Sequence, residues 1–225
     1  ASVKHRDEAQ FEDQRLAPLV ASIDVGVSKT VCLTSRRDPV LDMHPERPLR
    51  VLGIGQQTAP AIASGKPADF DACARAIEVA IQEAAAMAGA PVQRVVASYS
   101  GPGLNSQIVR GAARVKGAVI SHRDIENAID EAMKAAPAPQ RSFVHVEPLR
   151  YTIDDGEGIP DPLGHPGKML AVEACVVTAP TEALNALRAC IRQAGADVED
   201  IIAGPQAAAL SALTPEEREE GALLI

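Results

Sequence analysis

The chain has 225 residues, of which 46% are hydrophobic, 23% charged and 2% aromatic, and its formal net charge is −8. This apolar content excludes collagen and bulk disorder. The acidic balance and the scarcity of aromatic rings predict no nucleic-acid binding, because such binding needs cations to neutralise phosphates and rings on which bases stack.

Residues 1–16 carry mixed charges without apolar periodicity, and we expect them to form a disordered lead-in. Beyond them, short apolar runs predict strands, and apolar residues at three- and four-residue steps predict helices. Strands are expected at residues 19–23, 30–34, 49–56, 92–98, 107–109, 115–120, 143–153, 168–177 and 201–202. Helices are expected at residues 69–88, 121–136, 181–194 and 204–213, with a short acidic helix after Thr214. This order predicts a mixed α/β sheet with helices packed against it.

The connection between the first two predicted strands, Asp24 to Lys29 (DVGVSK), holds the residue types of an anion site. Gly26 lets the backbone approach a ligand, and the amide groups of a tight turn can converge on phosphate oxygens. Ser28 adds a hydroxyl and Lys29 a cation. The carboxylate of Asp24 suits a hydrated Mg²⁺ ion. An ordinary hairpin turn explains the same residues, so both interpretations stay open at this point.

A second candidate lies at Gly204-Pro205-Gln206, where a predicted strand passes directly into a predicted helix. Such turns face ligands in α/β sheets, and the free amide groups at a helix start favour anions. An ordinary helix start is the alternative interpretation.

The remaining polar motifs predict no separate chemistry. His145 and Glu147 share one face of a predicted strand, but no third metal ligand follows at a suitable spacing, so a structural role is favoured. The loop 100–103 (SGPG) lacks the ending of a phosphate-binding P-loop. The four cysteines lie far apart without CxxC spacing, which predicts free, reduced thiols packed as small hydrophobic side chains.

Three stretches taken together resemble the FtsA family of bacterial cell-division proteins, within the actin/Hsp70/sugar-kinase superfamily. Residues 23–29 (IDVGVSK) are similar to that superfamily's first phosphate loop. Residues 121–132 (SHRDIENAIDEA) resemble the start of a helix in the family's inserted subdomain, and residues 145–177 resemble a run that sugar kinases and Hsp70 proteins lack. The resemblance extends from Leu16 to Ile225.

The resemblance implies an actin-like (ribonuclease H-like) first lobe with a mixed sheet and helices, carrying an inserted small α+β subdomain. Residues 17–91 and 172–214 would form subdomain 1A, and residues 92–171 the inserted subdomain 1C. Residues 215–225 would begin a second lobe, in which Gly221 to Ile225 start a strand. The chain would therefore be truncated just before the family's second phosphate loop.

The resemblance also implies ATP and Mg²⁺ as ligands. The nucleotide-binding residues would be Asp24, Gly26, Val27, Ser28 and Lys29, joined by Gly204 and Gln206 in the connecting turn. Asp24 would hold Mg²⁺ through water. Position 27 departs from the family, which more often has Ser or Thr there, so one hydroxyl is missing.

The implied function is non-enzymatic, with slow ATP hydrolysis at most. The whole protein would polymerise and tether FtsZ filaments to the inner membrane, working with other divisome proteins. It would be cytoplasmic and peripheral at the division site, attached through a C-terminal helix absent from this chain, and it would self-associate through the inserted subdomain. The alternatives are a sugar-type kinase of the same superfamily and a pilus-assembly ATP-binding adaptor of the same fold.

Overall fold

The computed structural model describes residues 18–37, 49–58, 62–63, 66–67, 69–136 and 139–224. The predicted lead-in 1–16 lies outside the described residues, and so do residues 38–48. The chain divides into two compact units. The first comprises Ala1–Pro102 with Asn185–Ile225, and the second comprises Gly103–Leu184.

The first unit is built on a five-stranded mixed sheet. Its strands are β1 (Val20–Val25), β2 (Thr30–Arg37), β3 (Leu49–Gln57), β6 (Arg94–Tyr99) and β11 (Asp197–Ala203). They lie side by side in the order β11-β6-β1-β2-β3. Strands β1, β6 and β11 are parallel, whereas β1, β2 and β3 form an antiparallel meander. Two short strands, β4 (Ile62–Ala63) and β5 (Lys66–Pro67), pair with each other separately.

Helix α1 (Phe70–Ala88) packs on β2 and β3. It begins where the Asp69 side chain accepts a hydrogen bond from the Ala72 amide at 2.9 Å, and it ends at Gly89, whose φ of 64° is left-handed. Gly55 lets the helix approach closely, because a Cβ there would lie 1.8 Å from the Ala80 carbonyl oxygen. The buried hydroxyl of Thr34 donates to the Ala84 carbonyl at 3.3 Å, which fixes the same contact.

Three further helices complete the chain's C-terminal part. They are α3 (Thr181–Gln193), α4 (Gly204–Ala212) and α5 (Pro215–Glu220), and the division between the units falls within α3. Residues 221–224 form no strand in the described part, although a new strand was predicted there. None of the helices that the structure describes is long and apolar enough to cross a membrane.

The second unit is a four-stranded antiparallel sheet in the order β7-β10-β8-β9, with one helix packed on it. Its elements are β7 (Asn105–Arg114), α2 (His122–Ala135), β8 (Arg141–Ile153), β9 (Gly158–Ile159) and β10 (Met169–Pro180). Ala128 and Ala132 of α2 are fully buried against the sheet. A Cβ at Gly111 of β7 would lie 2.1 Å from the Ala132 nitrogen, so only glycine allows this approach.

The structure differs from the strands predicted in this region. Strands were predicted at 107–109 and 115–120; the first lies within the longer β7, whereas residues 115–120 contribute only an isolated bridge between Val119 and Pro166. The second unit also begins and ends later than the predicted insertion, 92–171. The reason is that β6 pairs with β1 and β11 in the first sheet, while β10 continues to Pro180.

Helix α2 begins with a capping box formed by Ser121 and Asp124. The Asp124 carboxylate accepts the Ser121 amide at 3.0 Å and the Ser121 hydroxyl at 2.6 Å, and it also accepts the Lys116 amide at 3.3 Å. These bonds, the Ser121 hydroxyl first, hold the pKa of Asp124 below its ordinary value. Asp124 is only 3% exposed, so its bonds join α2 to the segment before it.

We therefore expect Asp124→Asn to lower the melting temperature at neutral pH, because the neutral amide accepts these hydrogen bonds less strongly. A carboxyl whose pKa is lower in the folded state stabilises the fold above its unfolded pKa, about 3.9, and loses this effect as the pH falls through the folded pKa. The difference in melting temperature between wild type and variant should thus shrink below about pH 4. Calorimetry from neutral to acidic pH measures it, and a difference independent of pH would contradict the assignment to the ionised carboxylate.

Candidate functional site

The carboxyl ends of the three parallel strands bring the candidate residues to one edge of the first sheet. In the strand register Asp24 of β1 lies opposite Ser98 of β6, and Ser98 lies opposite Ile202 of β11. Gly204 follows β11 directly as the first residue of α4. Ligands of open α/β sheets bind at this edge, outside the carboxyl ends of parallel strands.

A hydrogen bond between side chains joins the first two strands at this edge. The hydroxyl of Ser98 donates to Oδ1 of Asp24. Ser98 is half-buried, whereas Asp24 is exposed to solvent. Within the described part of the chain, Oδ2 of Asp24 accepts no hydrogen bond. The carboxylate is therefore oriented through one oxygen, and its other oxygen is available to a ligand.

The start of α4 lies close to the end of β6. A Cβ at Gly204 would fall 1.8 Å from Oγ of Ser100, so a residue larger than glycine would displace this side chain. The residue before the helix, Ala203, offers no side-chain cap, and Pro205 occupies the first turn. The amide groups at the start of this nine-residue helix thus lack a side-chain acceptor from the N-cap.

A cavity of about 530 Å³ opens at this edge of the first sheet. Its polar lining comes from Asp24 and four serine side chains, Ser22, Ser98, Ser100 and Ser211. Its apolar lining comes from Val31, Leu33, Val96 and Ile202 of the sheet and from Ala207 and Ala208 of α4. Asp24 and Gly204 both line this cavity.

The turn between β1 and β2 differs from the amide nest that the sequence suggested. The Gly26 amide donates to the Lys29 carbonyl at 2.9 Å, so this donor closes the turn and does not face a ligand. Val27 is 72% exposed, and Ser28 and Lys29 are also exposed. The structure leaves the Lys29 side chain in solvent, at the tip of the hairpin that begins with Asp24.

The structure thus assembles only part of the predicted set around the cavity. Asp24 and Gly204 are among the residues that line it, but the turn residues 26–29 and Gln206 are not. Gln206 lies half-buried in the first turn of α4. Sequence analysis missed Ser98 and Ser100, which were assigned to a strand end and a Gly/Pro loop. The available signal was their alternation, with Ser98 the next-to-last residue of β6 and Ser100 directly after the strand.

Among the described residues, the remaining His, Cys, Asp and Glu side chains form no second cluster of this kind. The part of the chain that the structure describes contains no group of three or more His, Cys, Asp or Glu side chains placed to hold a metal ion. The four cysteines are free thiols. Burial raises the pKa of Cys32 to about 11, so its thiol stays protonated at neutral pH. Cys73 and Cys190 are fully buried and hydrogen-bonded to each other, which lowers the pKa of Cys73 and raises that of Cys190.

Comparison with known proteins is consistent with this architecture. The family model described as "SHS2 domain inserted in FTSA" matches residues 101–178. A solved structure, the "PilM-PilN type IV pilus biogenesis complex", superposes with a TM-score of 0.57 at 17% identity, covering 84% of this chain and 48% of that chain. The mixed sheet with helices and an inserted domain defines an actin-like α/β protein.

Curated relatives identify the family. The chain is 31% identical to the cell division protein FtsA of Agrobacterium fabrum over 228 aligned residues, covering 96% of this chain and 52% of the relative. It is 31% identical to that of Pseudomonas aeruginosa, covering 92% and 48%, and 23% identical to that of Escherichia coli, covering 92% and 48%. The chain belongs to the FtsA family of cell-division proteins. It spans about half the length of these relatives.

Proposed function

We propose that the carboxyl edge of the first sheet binds the phosphates and Mg²⁺ of ATP in a cell-division protein. The observation that carries this proposal is the grouping of Asp24, Ser98 and Gly204 at the ends of three parallel strands. An anion and a hydrated cation together need a carboxylate, hydroxyl groups and backbone amides. All three kinds of group line or border this cavity.

The donor set at this edge fits a hydrated Mg²⁺ ion. Mg²⁺ keeps several of its waters and is commonly held through one or two carboxylates with phosphate oxygens. Asp24 is exposed, and its Oδ2 atom accepts no hydrogen bond from the residues that the structure describes. It can therefore accept hydrogen bonds from Mg²⁺-bound water. The amide groups at the start of α4 favour an anion beside it, because they carry the positive end of the helix dipole. Ser28 and Lys29, exposed at the tip of the hairpin that begins with Asp24, would contact the phosphate chain outside the cavity.

In this proposal the whole protein uses ATP to control self-association, with slow hydrolysis at most. It polymerises, binds FtsZ filaments and other divisome proteins, and tethers them to the cytoplasmic face of the inner membrane. The second unit contributes protein contacts, including those between copies. Family membership supports a role in cell division, and the partners named here are proposed on that ground.

A kinase acting on a small molecule and a pilus-assembly adaptor are the competing functions. The fold similarity to a pilus-biogenesis structure reflects architecture at 17% identity, whereas relatives at up to 31% identity are cell-division proteins. Release of ADP that depends on an added sugar would favour a kinase. Recovery of pilus components in place of FtsZ from a pull-down would favour the adaptor.

The full-length natural protein provides the test of the turn's role. We expect Lys29→Ala to weaken ATP binding about tenfold and Ser28→Ala about threefold, because a charged hydrogen bond contributes roughly twice a neutral one. Titration with a fluorescent ATP analogue measures both. Lys134→Ala is the matched control, since it removes an exposed lysine from α2. Equal losses of ATP affinity in the two variants, or a larger loss for Ser28→Ala, would contradict the assignment of phosphate binding to Lys29.

A further inference from the structure

The free edges of the two sheets differ in how well they are protected. An exposed strand edge offers unpaired amide and carbonyl groups to another chain, and most proteins block such edges. At the edge of the first sheet, the β3 amides of Ile54 and Gln56 donate to Sδ of Met87 and Oε2 of Glu83, both on α1. Side chains of the protein itself therefore occupy the free edge of β3.

Two other edges are blocked by different means. Strand β11 has a register shift between Val198 and Asp200, and it carries the acidic side chains of Asp197, Glu199 and Asp200. Strand β9 has only two residues, which is too short to template another strand. Bulges, charges and shortness are established ways of preventing edge pairing.

Strand β7 is neither short nor bulged, and its only charged side chains are those of Arg110 and Arg114. It is ten residues long, contains no proline and pairs with β10 in one unbroken register from Asn105 to Arg114. In the described part of the chain, β10 is its only strand neighbour. An edge of this length with an unbroken register is long enough for strand addition, in which backbone hydrogen bonds supply affinity and alternate side chains supply specificity.

The exposed side chains of β7 define what would fit there. Ile108, Arg110, Ala112 and Arg114 alternate on the face away from α2, and all four are exposed, Ile108 by 64%. Residues 105–114 contain no acidic residue, in a protein of net charge −8. Arg110 bonds to Glu173 of β10 at 2.6 Å, so its guanidinium turns inward over the sheet and leaves the strand edge open.

We infer that β7 accepts an extended acidic segment of another protein as an added strand of the second unit's sheet. One acidic side chain of this segment would lie opposite Arg114 and another opposite Arg110, where Glu173 is shared with Arg150 and therefore leaves a net positive charge. An apolar side chain would lie opposite Ile108. Directly opposed cross-strand pairs of opposite charge are favourable. A second copy of β7 fits this edge less well, because it carries no acidic residue to lie opposite Arg110 or Arg114. Registers that place these arginines opposite each other are unfavourable. This inference does not depend on ATP binding.

The experiment uses the full-length natural protein and a fluorescein-labelled nine-residue peptide, TETATETVT, as the probe. Two control peptides keep its length. In one, lysine replaces both glutamates, and in the other, alternate backbone amides are N-methylated so that charge remains but strand hydrogen bonds are lost. We expect the acidic peptide to bind at least tenfold more tightly than either control, measured by fluorescence anisotropy. Equal binding of the N-methylated peptide would show electrostatic attraction alone and would overturn the inference.

A pair of protein variants locates the binding site. Arg114→Glu should weaken the acidic peptide about tenfold and should improve binding of the lysine peptide, because the cross-strand charge pairing is reversed. Arg123→Glu, an exposed residue of α2, makes the same change in net charge and should alter neither by more than about twofold. If both variants lose binding equally, or if the acidic peptide does not bind wild type, the inference fails.

Discussion

Replacing Gly55 with valine is expected to destabilise the first unit by about 3 kcal/mol, the upper part of the usual range for overpacking. A Cβ at position 55 would lie 1.8 Å from the Ala80 carbonyl oxygen and 2.7 Å from the Ala80 carbonyl carbon. Both atoms belong to the backbone of α1, which cannot rotate away as a side chain can. Accommodating valine would therefore require α1 to move off the sheet, and the fully buried Ile77 would lose its packing.

Urea denaturation followed by far-ultraviolet circular dichroism measures this effect. Gln56→Val is the matched control, because it places the same β-branched side chain one residue further along β3, on the exposed face. We expect the control to change stability by less than about 0.5 kcal/mol, as surface substitutions do. A Gly55→Val protein as stable as the control would contradict the close helix–strand contact.

The contact at Gly55 also shows where sequence reasoning was limited. The strand over residues 49–56 was predicted correctly, but nothing in the sequence distinguishes its glycines from residues that merely weaken a strand. The role of these glycines is to let α1 pack closely on β3. Because α1 lies some 25 residues later in the chain, no local sequence pattern indicates this contact. Glycine in a strand interior marks either weakness or close approach, and only tertiary structure distinguishes the two.

Elements with a local signal were predicted well. Helix α1 has a periodic apolar face, an aspartate cap and a glycine stop, so its bounds followed from the sequence. Strand β11 was predicted only at 201–202, whereas it spans Asp197–Ala203. The acidic residues in its first half give no alternating apolar pattern, because side chains on an edge strand can be charged and exposed to solvent. The strand is defined by pairing with β6, about a hundred residues earlier.

The candidate site likewise contains some residues that a local sequence pattern indicates and others that only the tertiary structure brings together. Asp24 and Gly204 stood at recognisable turns, so their residue types and positions were predictable. Ser98 was not, because its role depends on β6 lying parallel to β1 in the register that places it beside Asp24. Parallel pairing joins segments far apart in sequence and leaves no turn between them.

The Asp24–Ser98 pair leads to the sharpest expectation for ATP binding. Asp24→Asn keeps the shape of the side chain but removes its charge, and hydrogen bonds to a charged group contribute about 1.5–3 kcal/mol. We expect the affinity of the full-length natural protein for Mg²⁺·ATP to fall about 10- to 100-fold. Isothermal titration calorimetry with Mg²⁺ or with excess chelator measures this loss. The loss should largely disappear with chelator, because Asp24 acts on the hydrated metal ion.

Ser98→Ala tests whether the hydroxyl orients that carboxylate. We expect Ser98→Ala alone to weaken Mg²⁺·ATP binding about three- to tenfold, since the loss of one hydrogen bond leaves Asp24 free to rotate. Added to Asp24→Asn, it should have almost no further effect, because residues that act through one contact are not additive. Ser22→Ala, another serine of the cavity on the same face, is the control expected to change binding little. Full additivity of Ser98→Ala and Asp24→Asn would mean that the serine contributes independently of the carboxylate. Losses that persist unchanged in chelator would mean that neither residue acts through Mg²⁺.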